Sequence, residues 1–311
     1  WVALDGTNYL GVGTHLKYYI NQGGAYNDIT PIRLVTSAGD LTFSASANTL
    51  AAAATATVTT LTLTSSSGFP TSGRIKINNE IITYAALNGN NLTGCVRGVS
   101  DTIAAAHSSS DAVLCATIVV ADSAHGALEN DFVTFSGSAS LGGNLTAAII
   151  NQEYQITTIV SVNSYQVEAR ITESISSITE SYGLNQTYVF ASTSDSNNGG
   201  SSVVGAYQIN TGLDTTIVGN GWNAGGWSRG TWGSAADLTT SGDTLRIWSH
   251  DNFGEDLIIN VRDADIFYWD KSASSENTFD RAVELASISG ANKAPVIAKQ
   301  IIVSDIDRHV I

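Results

Sequence analysis

The sequence predicts an all-β protein, and its composition and patterning carry that prediction. Charged residues make up only 14% of the 311 residues, while 43% are hydrophobic. Ordinary globular chains are about one quarter charged, and a low charged fraction is typical of short strands joined by turns and not of surface helices rich in Lys and Glu. Here, apolar and β-branched residues alternate with polar ones in many short runs, and clusters of Gly, Asn and Ser separate the runs.

The first predicted element is a β-hairpin at the start of the chain. Apolar and small residues alternate through residues 2–20, and Asn-Gln-Gly-Gly at 21–24 supplies a turn. Tyr18, Tyr19 and Tyr26 are predicted to pack within the strands and not to contact a ligand, because aromatic residues are common in strands.

Further strands are predicted between residues 48 and 116. From residue 48 to residue 64, β-branched and apolar residues recur at every second position, which is the period of a strand. The run GRIKINNEIITY at 73–84 predicts two strands about an Asn-Asn turn, and LTGCVRG follows at 92–98. These segments carry enough strand and turn signals to form a small β-module.

A second small β-module is predicted over residues 117–190. Its elements HG at 125–126, DFV at 131–133 and YQI at 154–156 resemble those of a small β-barrel-like insert of phage structural proteins, and the resemblance implies that they shape turns and core. A histidine in such a turn is expected to bond to a backbone group and not to a metal. The polar run STSDSNNGGSS at 192–202 then predicts a turn region through which the chain returns to its outer part.

The last third of the chain contains two segments of different character. Residues 245–270 pair two strand-like runs, rich in Ile, Val, Trp and Tyr, with tight polar turns, which is typical of a β-propeller blade edge. Before them, Trp222, Trp227 and Trp232 lie five residues apart, which fits neither one face of a helix nor one face of a strand. The indoles are predicted to pack in a long ordered loop, and a stacking platform for sugars or bases is the alternative.

Charge and cysteine content exclude several classes of function. The 28 acidic residues outnumber the 14 basic ones, and the net charge of −14 opposes non-specific binding to nucleic acid or to an anionic membrane. An acidic inner wall would still suit a conduit through which DNA slides without sticking. No apolar run is long enough to span a bilayer. Cys95 and Cys115 match no metal pattern and are expected to be buried thiols, with a disulfide as the alternative.

The sequence predicts no enzyme, cofactor or metal site. It contains no G-x-S-x-G, H-E-x-x-H or P-loop motif. His107 and His125 have no carboxylate cluster at ligand spacing. Arg246 and Arg262 are near enough in sequence to pair with some members of one acid-rich stretch. The alternative to a protein without catalytic activity is a glycoside hydrolase, whose carboxylate pair would come from this stretch. The stretch lacks the spacing of a calcium loop. Its members are Asp251, Glu255, Asp256, Asp263, Asp265 and Asp270.

Two runs carry a family resemblance. GVGTHLKYYINQGGAYNDITPIR at 11–33 and LRIWSHDNFGEDLIINVRDADIFYWD at 245–270 resemble a virion protein of short-tailed marine bacteriophages, related to the nozzle and packaged-DNA stabilisation proteins of the tail. The middle of the chain resembles small modules of phage tail and fibre proteins, through its EIITY, LTGCVRG and AAAH elements. The resemblance implies a β-propeller-like parent, residues 1–47 and 191–311, with β-barrel-like modules inserted at 48–116 and 117–190.

The resemblance also implies how the protein acts. Proteins of this kind assemble as a homo-oligomeric ring, here expected to have six copies, which retains packaged DNA and later conducts it through a channel without sequence-specific binding. The implied partners are portal-adaptor and tail fibre proteins, with contact to the host surface. The implied location is the phage tail, after assembly in the host cytoplasm. Too few blade repeats are visible to close a propeller, and we expect the chain to be a piece of a longer protein.

A second hypothesis is an extracellular adhesin or carbohydrate-binding, fibre-like protein. An adhesin is expected to present aromatic side chains in a groove, whereas a nozzle subunit is expected to bury broad surfaces against its sibling copies.

If both modules are inserted in a single loop, they are expected to be removable without unfolding the rest of the chain. Joining Thr42 to Ser194 through a short Gly-Ser linker is predicted to leave a β-rich, ring-forming protein, because closure entropy depends only weakly on loop length.

Overall fold

The structure, a computed structural model, describes residues 1–3, 6–171, 187–212, 246–273, 280–291, 293–304 and 310. Strands dominate these residues, and the helical elements among them are one short helix, α1 (Ala147–Ile150), and one 3-10 turn (Leu285–Ser287). The prediction of an all-β protein is confirmed. In chain order the strands are β1 (Tyr9–Gly13), β2 (Tyr18–Gln22), β3 (Ala25–Asp28), β4 (Ile32–Val35), β5 (Thr42–Ser44), β6 (Ala47–Thr49), β7 (Thr60–Thr62), β8 (Gly73–Ile77), β9 (Glu80–Tyr84), β10 (Ala86–Asn88), β11 (Asn91–Thr93), β12 (Ala112–Cys115), β13 (Thr117–Ala121), β14 (Phe132–Ser136), β15 (Glu153–Ser161), β16 (Ser164–Glu168), β17 (Arg170–Ile171), β18 (Thr187–Tyr188), β19 (Val204–Gln208), β20 (Trp248–Phe253), β21 (Asp256–Val261), β22 (Ile266–Trp269) and β23 (Val283–Glu284).

The chain divides into two compact units. Unit 1 comprises residues 1–33 and 208–311, and unit 2 comprises residues 34–207. Unit 2 is therefore one continuous segment that lies, in sequence, between the two parts of unit 1. The sequence predicts an insertion that begins at 48 and ends at 190, so the compact unit is larger than the predicted insertion at both ends.

Unit 1 contains two antiparallel meander sheets. Strands β1, β2 and β3 form the first in sequence order, and β20, β21, β22 and β23 form the second. The turn between β2 and β3 consists of Gly23 and Gly24, whose φ angles of 59° and 91° place both in the left-handed region. Glycine adopts this region without a Cβ clash, so a two-residue hairpin turn forms where the sequence predicts one.

One hydrophobic core spans both sheets of unit 1. Tyr18 and Ile20 of β2 pack with Leu257 and Ile259 of β21 and with Trp269 of β22. The core residues alternate along each strand, as the period of two requires. Leu257 and Ile259 are fully buried, and each such side chain contributes about 1.5–3 kcal/mol of hydrophobic stabilisation.

Unit 2 is built on a seven-stranded sheet with the order β4-β19-β14-β15-β16-β13-β5. Its large core includes Phe43, Phe135, Tyr154 and Tyr165. Strand β5 precedes residue 48 and β19 follows residue 190, yet both pair within this sheet. The predicted second module, 117–190, is thus part of a larger layer. A junction from Thr42 to Ser194 would cut through that sheet, so the deletion suggested by the sequence needs different end points.

A separate, smaller core lies between residues 48 and 116. Two sheets surround it, with the orders β6-β12-β8-β9 and β10-β11-β7. Its buried residues run from Leu50 to Cys115, so the whole core falls within the first predicted module. We call residues 48–116 the small module, and residues 34–47 and 117–207 the large layer. None of the sheets closes on itself within the described strands.

The two ends of unit 2 lie side by side. The Thr36 N–H donates to the Gly205 carbonyl at 3.0 Å, and the Gly205 N–H donates to Thr36 Oγ1 at 2.8 Å. The corresponding segments of unit 1 are also adjacent, because the Ile209 N–H donates to the Pro31 carbonyl at 3.0 Å. Each unit therefore brings its own pair of junction segments together.

Candidate functional site

Three features that the sequence raised are the tryptophan loop, groups of metal-binding side chains and membrane-spanning helices. Trp222, Trp227 and Trp232, the predicted packing or interaction loop, lie outside the described residues. Within the described ranges, no three or more His, Cys, Asp or Glu side chains converge as a metal-binding group. No helix in that part of the chain is both long and apolar enough to cross a membrane.

The acid-rich stretch of unit 1 holds its second sheet together. Asp251 Oδ2 accepts a hydrogen bond from the Val303 N–H at 2.9 Å, which ties a later segment of the chain to β20. Asp256 accepts the Tyr268 hydroxyl at 2.6 Å and the Lys271 N–H at 3.0 Å. Asp256 therefore joins β21 to β22 and to the residues after it, and Asp251 joins the meander to a later segment outside its four strands.

Two further acids of the stretch, Asp270 and Asp263, have partners close by in the sequence. Asp270 accepts hydrogen bonds from the hydroxyl and the N–H of Ser272, both at 2.7 Å, and these bonds lower the pKa of Asp270. Asp263 lies 3.9 Å from the Arg262 guanidinium, an exposed pair of the kind that the sequence analysis expects. The Arg246 guanidinium lies 5.4 Å from the centre of the Trp248 ring.

Asp28, in the YNDITPIR run, joins three segments of unit 1. Its Oδ2 accepts from Lys17 Nζ at 2.8 Å, and its Oδ1 accepts from Arg281 Nη1 at 2.5 Å and from the Thr30 hydroxyl at 2.6 Å. Burial alone would raise the pKa of Asp28, but the Arg281 and Lys17 charges and the hydrogen bonds lower it overall. The motif residue is therefore an ionised structural acceptor.

In the small module, three motif residues that are distant in sequence meet at one buried site. Glu80 is 1% exposed and accepts a bidentate pair of hydrogen bonds from Arg97, through Nε and Nη2, at 2.7 Å each. His107 Nε2 lies 2.8 Å from Glu80 Oε2. The planar fork of arginine matches a carboxylate in this geometry. The EIITY, LTGCVRG and AAAH elements thus converge on a single carboxylate, which we call the Glu80 site.

The Glu80 site also fixes backbone. Glu80 accepts the Gly98 and Ala105 N–H groups, both at 3.0 Å, and Arg97 Nη2 donates to the Ala105 carbonyl at 2.6 Å. Burial alone would raise the pKa of Glu80, but the hydrogen bonds from Arg97, Ala105 and His107 lower it to about 2. The carboxylate is therefore ionised at neutral pH, and the Arg97 charge balances it.

The convergence at Glu80 was not predicted from the sequence, although a signal for it exists. The small module contains only three acidic and three basic residues. Glu80 begins the apolar strand run EIITY, where a carboxylate is expected only if it is paired. Arg97, in LTGCVRG, is one of the three basic residues of the module, beside Arg74 and Lys76 of the strand run GRIKI, so it was one of three candidates for contact.

The chain between the bonds to Glu80 forms an anchored turn, which we call the 98–106 loop. Ser100 and Asp101 have φ angles of 54° and 59°. This left-handed conformation costs a residue other than glycine about 1–2 kcal/mol. Thr102 holds the turn, because its Oγ1 accepts the Ile81 N–H at 3.0 Å and donates to the Val99 carbonyl at 2.8 Å. The surrounding contacts therefore impose a conformation that the turn would not favour alone.

A second buried polar cluster lies in the large layer. The Tyr207 hydroxyl donates to Asp122 Oδ2 at 2.5 Å and lies 2.7 Å from the Tyr165 hydroxyl. Burial raises the pKa of Asp122 and outweighs the opposing effects of the Tyr207 hydrogen bond and of His125. Burial also raises the pKa of Tyr207. We call this cluster the Asp122 site.

His125 shapes the turn beside the Asp122 site. Its Nε2 lies 3.2 Å from the Ser161 carbonyl, its Nδ1 accepts the Ala127 N–H at 3.0 Å, and its ring centre lies 4.9 Å from that of Tyr165. The expectation that this histidine bonds to backbone groups is confirmed. His107 differs, because its Nε2 bonds to a carboxylate.

Asp195 organises the polar run between residues 192 and 202. Its carboxylate accepts the N–H groups of Gly143 at 2.7 Å, Asn144 at 2.9 Å and Leu145 at 3.0 Å, and that of Ser192 at 2.8 Å. Burial opposes these bonds, yet together they lower the pKa of Asp195. This carboxylate, too, serves as a structural acceptor.

Both cysteines are free and buried in the core of the small module. Burial raises the pKa of the Cys95 thiol to about 11 and that of Cys115 to about 12. The prediction of two buried thiols is confirmed, and the alternative disulfide is not formed. Thiols with such pKa values are protonated at neutral pH and are poor nucleophiles.

Comparisons with protein-family models, with curated proteins and with solved structures find no match for this chain. Five buried or half-buried carboxylates share one use, which is to accept hydrogen bonds from backbone or from paired side chains: Asp28, Glu80, Asp195, Asp251 and Asp256.

Proposed function

We propose that this chain is a structural virion protein of a bacteriophage tail. It forms part of a ring-shaped nozzle or tube, of six copies, that retains packaged DNA and then conducts it. Unit 1 is part of a β-propeller-like parent fold, and unit 2 contains the inserted modules. The ring contacts the portal-adaptor and fibre proteins of the tail.

The observation that carries the proposal is how the motif carboxylates are used. Asp28 of YNDITPIR, and Asp251 and Asp256 of WSHDNFGEDL, bond neighbouring segments of unit 1 to one another. The residues behind the family resemblance are thus the residues that hold the sheets of unit 1 in place. This use suits a protein that acts through its shape and its contacts. The pKa of Asp28 is lowered, whereas a carboxylate that works as an acid or base needs a pKa near the working pH.

The arrangement of the strands also supports the proposal. A four-stranded antiparallel meander is the unit from which a propeller blade is made, and β20 to β23 have that order. A second meander, β1 to β3, shares a core with it. Unit 2 enters and leaves through adjacent segments, as an insertion in one surface loop requires.

The charge of the chain fits a conduit for DNA. A net charge of −14 gives phosphate groups no general attraction to the protein. A ring with such a charge would let DNA pass without being held along its length. Retention of DNA would then depend on closure of the channel and not on binding.

The proposal is tested by the assembly state of the whole chain. Sedimentation velocity, from low micromolar to submillimolar concentration, is expected to show a closed oligomer, and negative-stain images are expected to show a six-fold ring with a central opening. Labelled duplex DNA is expected to show no binding to that ring at physiological salt. A chain that remains monomeric over the whole range, or that binds an immobilised glycan as a monomer, contradicts the proposal, and the glycan result would favour an adhesin.

A further inference from the structure

The 98–106 loop presents apolar side chains to solvent. Ile103 is 86% exposed, more than any other large hydrophobic residue in the described part of the chain. Ala105 and Ala106 beside it are exposed, and Val96, just before the loop, is 58% exposed. Single exposed apolar residues are common on protein surfaces, so exposure alone does not indicate a contact.

What distinguishes this loop is how firmly its backbone is held. The buried carboxylate of Glu80 accepts the N–H groups of Gly98 and Ala105, which lie at opposite ends of the loop. Ser100 Oγ accepts a further hydrogen bond from Arg74 Nη1 at 2.9 Å. Strained backbone that is maintained by its surroundings is typical of functional sites. A preorganised loop also loses less conformational entropy when it binds.

Charge indicates which partner suits the loop. Three of the 28 acidic and three of the 14 basic residues lie in the small module, so the net charge of −14 is carried entirely by the rest of the chain. Two copies of the chain, each with this net charge, repel one another at low salt. A contact made through the small module avoids that repulsion, because the module has no net charge.

We propose that the 98–106 loop is a contact surface between copies of this chain, and that Ile103 is the side chain that docks on the neighbouring copy. The loop is held in its bound conformation by the Glu80 site before the copies meet. This inference rests on the proposed function, since a ring of identical subunits needs such a contact, and it names where on the subunit one side of that contact lies.

The test compares two substitutions that change charge and hydrophobicity in the same way. Ile103→Asp places a carboxylate in the loop, and Val162→Asp, the control, does so at another exposed apolar position, 76% exposed, between β15 and β16. Sedimentation equilibrium of the whole chain is expected to show self-association weakened by about tenfold or more for Ile103→Asp, which corresponds to about 1.4 kcal/mol. Val162→Asp is expected to stay within about twofold of the unsubstituted chain, a change of less than about 0.5 kcal/mol.

A third variant separates the lost apolar contact from the added charge. Ile103→Asn removes the apolar side chain without adding a charge, and it is expected to weaken association nearly as much as Ile103→Asp. Raising the salt concentration screens repulsion between copies, so association of the unsubstituted chain is expected to strengthen, while Ile103→Asn stays weaker at every salt concentration. Thermal unfolding is expected to be unchanged in all three variants, because both positions are exposed.

Each result bears on the inference in a definite way. Self-association that survives Ile103→Asp and Ile103→Asn overturns the inference but leaves the proposed ring intact. An equal loss in Val162→Asp also overturns it, because the effect would then be general repulsion. A chain that does not self-associate without any substitution overturns the inference and the proposed function together.

Discussion

Glu80 and Asp122 are both buried carboxylates of unit 2, and their surroundings shift the pKa of the two groups in opposite directions. Glu80 is 1% exposed and Asp122 is 3% exposed. Glu80 accepts hydrogen bonds from the Arg97 guanidinium, from two backbone N–H groups and from His107. Within the described residues, the side chain that donates to Asp122 is that of Tyr207, through its hydroxyl.

Burial opposes ionisation of both groups, so the donors decide the outcome. At the Glu80 site the donors prevail and lower the pKa to about 2, whereas at the Asp122 site burial prevails and raises the pKa. The small module is thus organised around a charge that is balanced and anchored. The large layer is organised around hydroxyl groups and a carboxyl whose pKa is raised by burial. Burial alone therefore does not tell whether a carboxyl is a stable structural ion.

Removing the small module is the change with the largest expected effect on this comparison. Strands β5 and β13 pair antiparallel, with Ser44 opposite Val119, so the chain enters and leaves the small module through neighbouring strands. Replacing residues 47–116 by Asn-Gly is expected to close β5 and β13 into a hairpin and to remove the Glu80 site while the Asp122 site remains folded.

Hydrogen exchange measures the outcome of this deletion. Amides of β14, β15 and β16 are expected to keep their protection, because the core of the large layer contains no residue from 48–116. An insoluble chain, or loss of protection throughout the large layer, would show that the two cores do not fold independently. The junction replaces the one from Thr42 to Ser194, which would divide the seven-stranded sheet.

The correction of that junction shows what local sequence patterns can predict. The strand period, the Gly23-Gly24 turn and the Asn78-Asn79 turn were all evident in the sequence, and the core of the small module falls within its predicted limits. Each of these depends on residues that are close together in the chain. Period and turn type do not specify which distant strand completes a sheet, so the place of β5 beside β13 was not predicted.

The same limit applies to the candidate site: its residues could be recognised in the sequence, but the contacts between them could not. The motif residues Glu80, Arg97 and His107 were visible in the sequence, but their contact joins positions 17 and 27 residues apart. The hydrogen bond from Tyr207 to Asp122 spans 85 residues. No local pattern specifies such distances. What the sequence does contain is the unusual placement of a carboxylate in an apolar strand, which signals that a partner exists without naming it.

The next largest effect is expected from Glu80→Gln. The substitution keeps the shape of the side chain but leaves the Arg97 guanidinium buried without its counter-charge, which typically costs about 3–5 kcal/mol. Urea unfolding of the whole chain at pH 7 measures the loss. Glu168→Gln is the matched control, because Glu168 pairs with Arg74 at 3.3 Å in a more exposed setting, with side chains 22% and 15% exposed. The control is expected to lose about 1 kcal/mol or less.

The pH dependence of Glu80→Gln provides a second check. The folded-state pKa of Glu80 lies below its ordinary value of 4.5, so its contribution to stability is present above that value and is lost as pH falls toward 2. The difference between the unsubstituted chain and Glu80→Gln is therefore expected to shrink over that range. Equal losses for Glu80→Gln and Glu168→Gln, or a difference that does not change with pH, would contradict the balanced-charge account of the Glu80 site.

The smallest effect, and one of opposite sign, is expected from Asp122→Asn. The folded-state pKa of Asp122 lies above its ordinary value of 3.8, so the folded chain binds this proton more tightly than the unfolded chain does. The folded state therefore loses stability as pH rises from about 3.8 through the raised pKa.

In the Asp122→Asn variant, the amide retains an oxygen that accepts the Tyr207 hydroxyl and carries no charge, so the variant escapes this loss. At pH 7 it is expected to be more stable by about 1–3 kcal/mol, the scale for an incompletely compensated buried polar group, and at pH 3 the gain is expected to vanish. Urea unfolding at both pH values measures it, with Tyr207→Phe as a control that removes the one hydroxyl donor and is expected to lose stability mainly at pH 7. A gain that is the same at both pH values would mean that repacking, and not the charge of Asp122, separates this site from the Glu80 site.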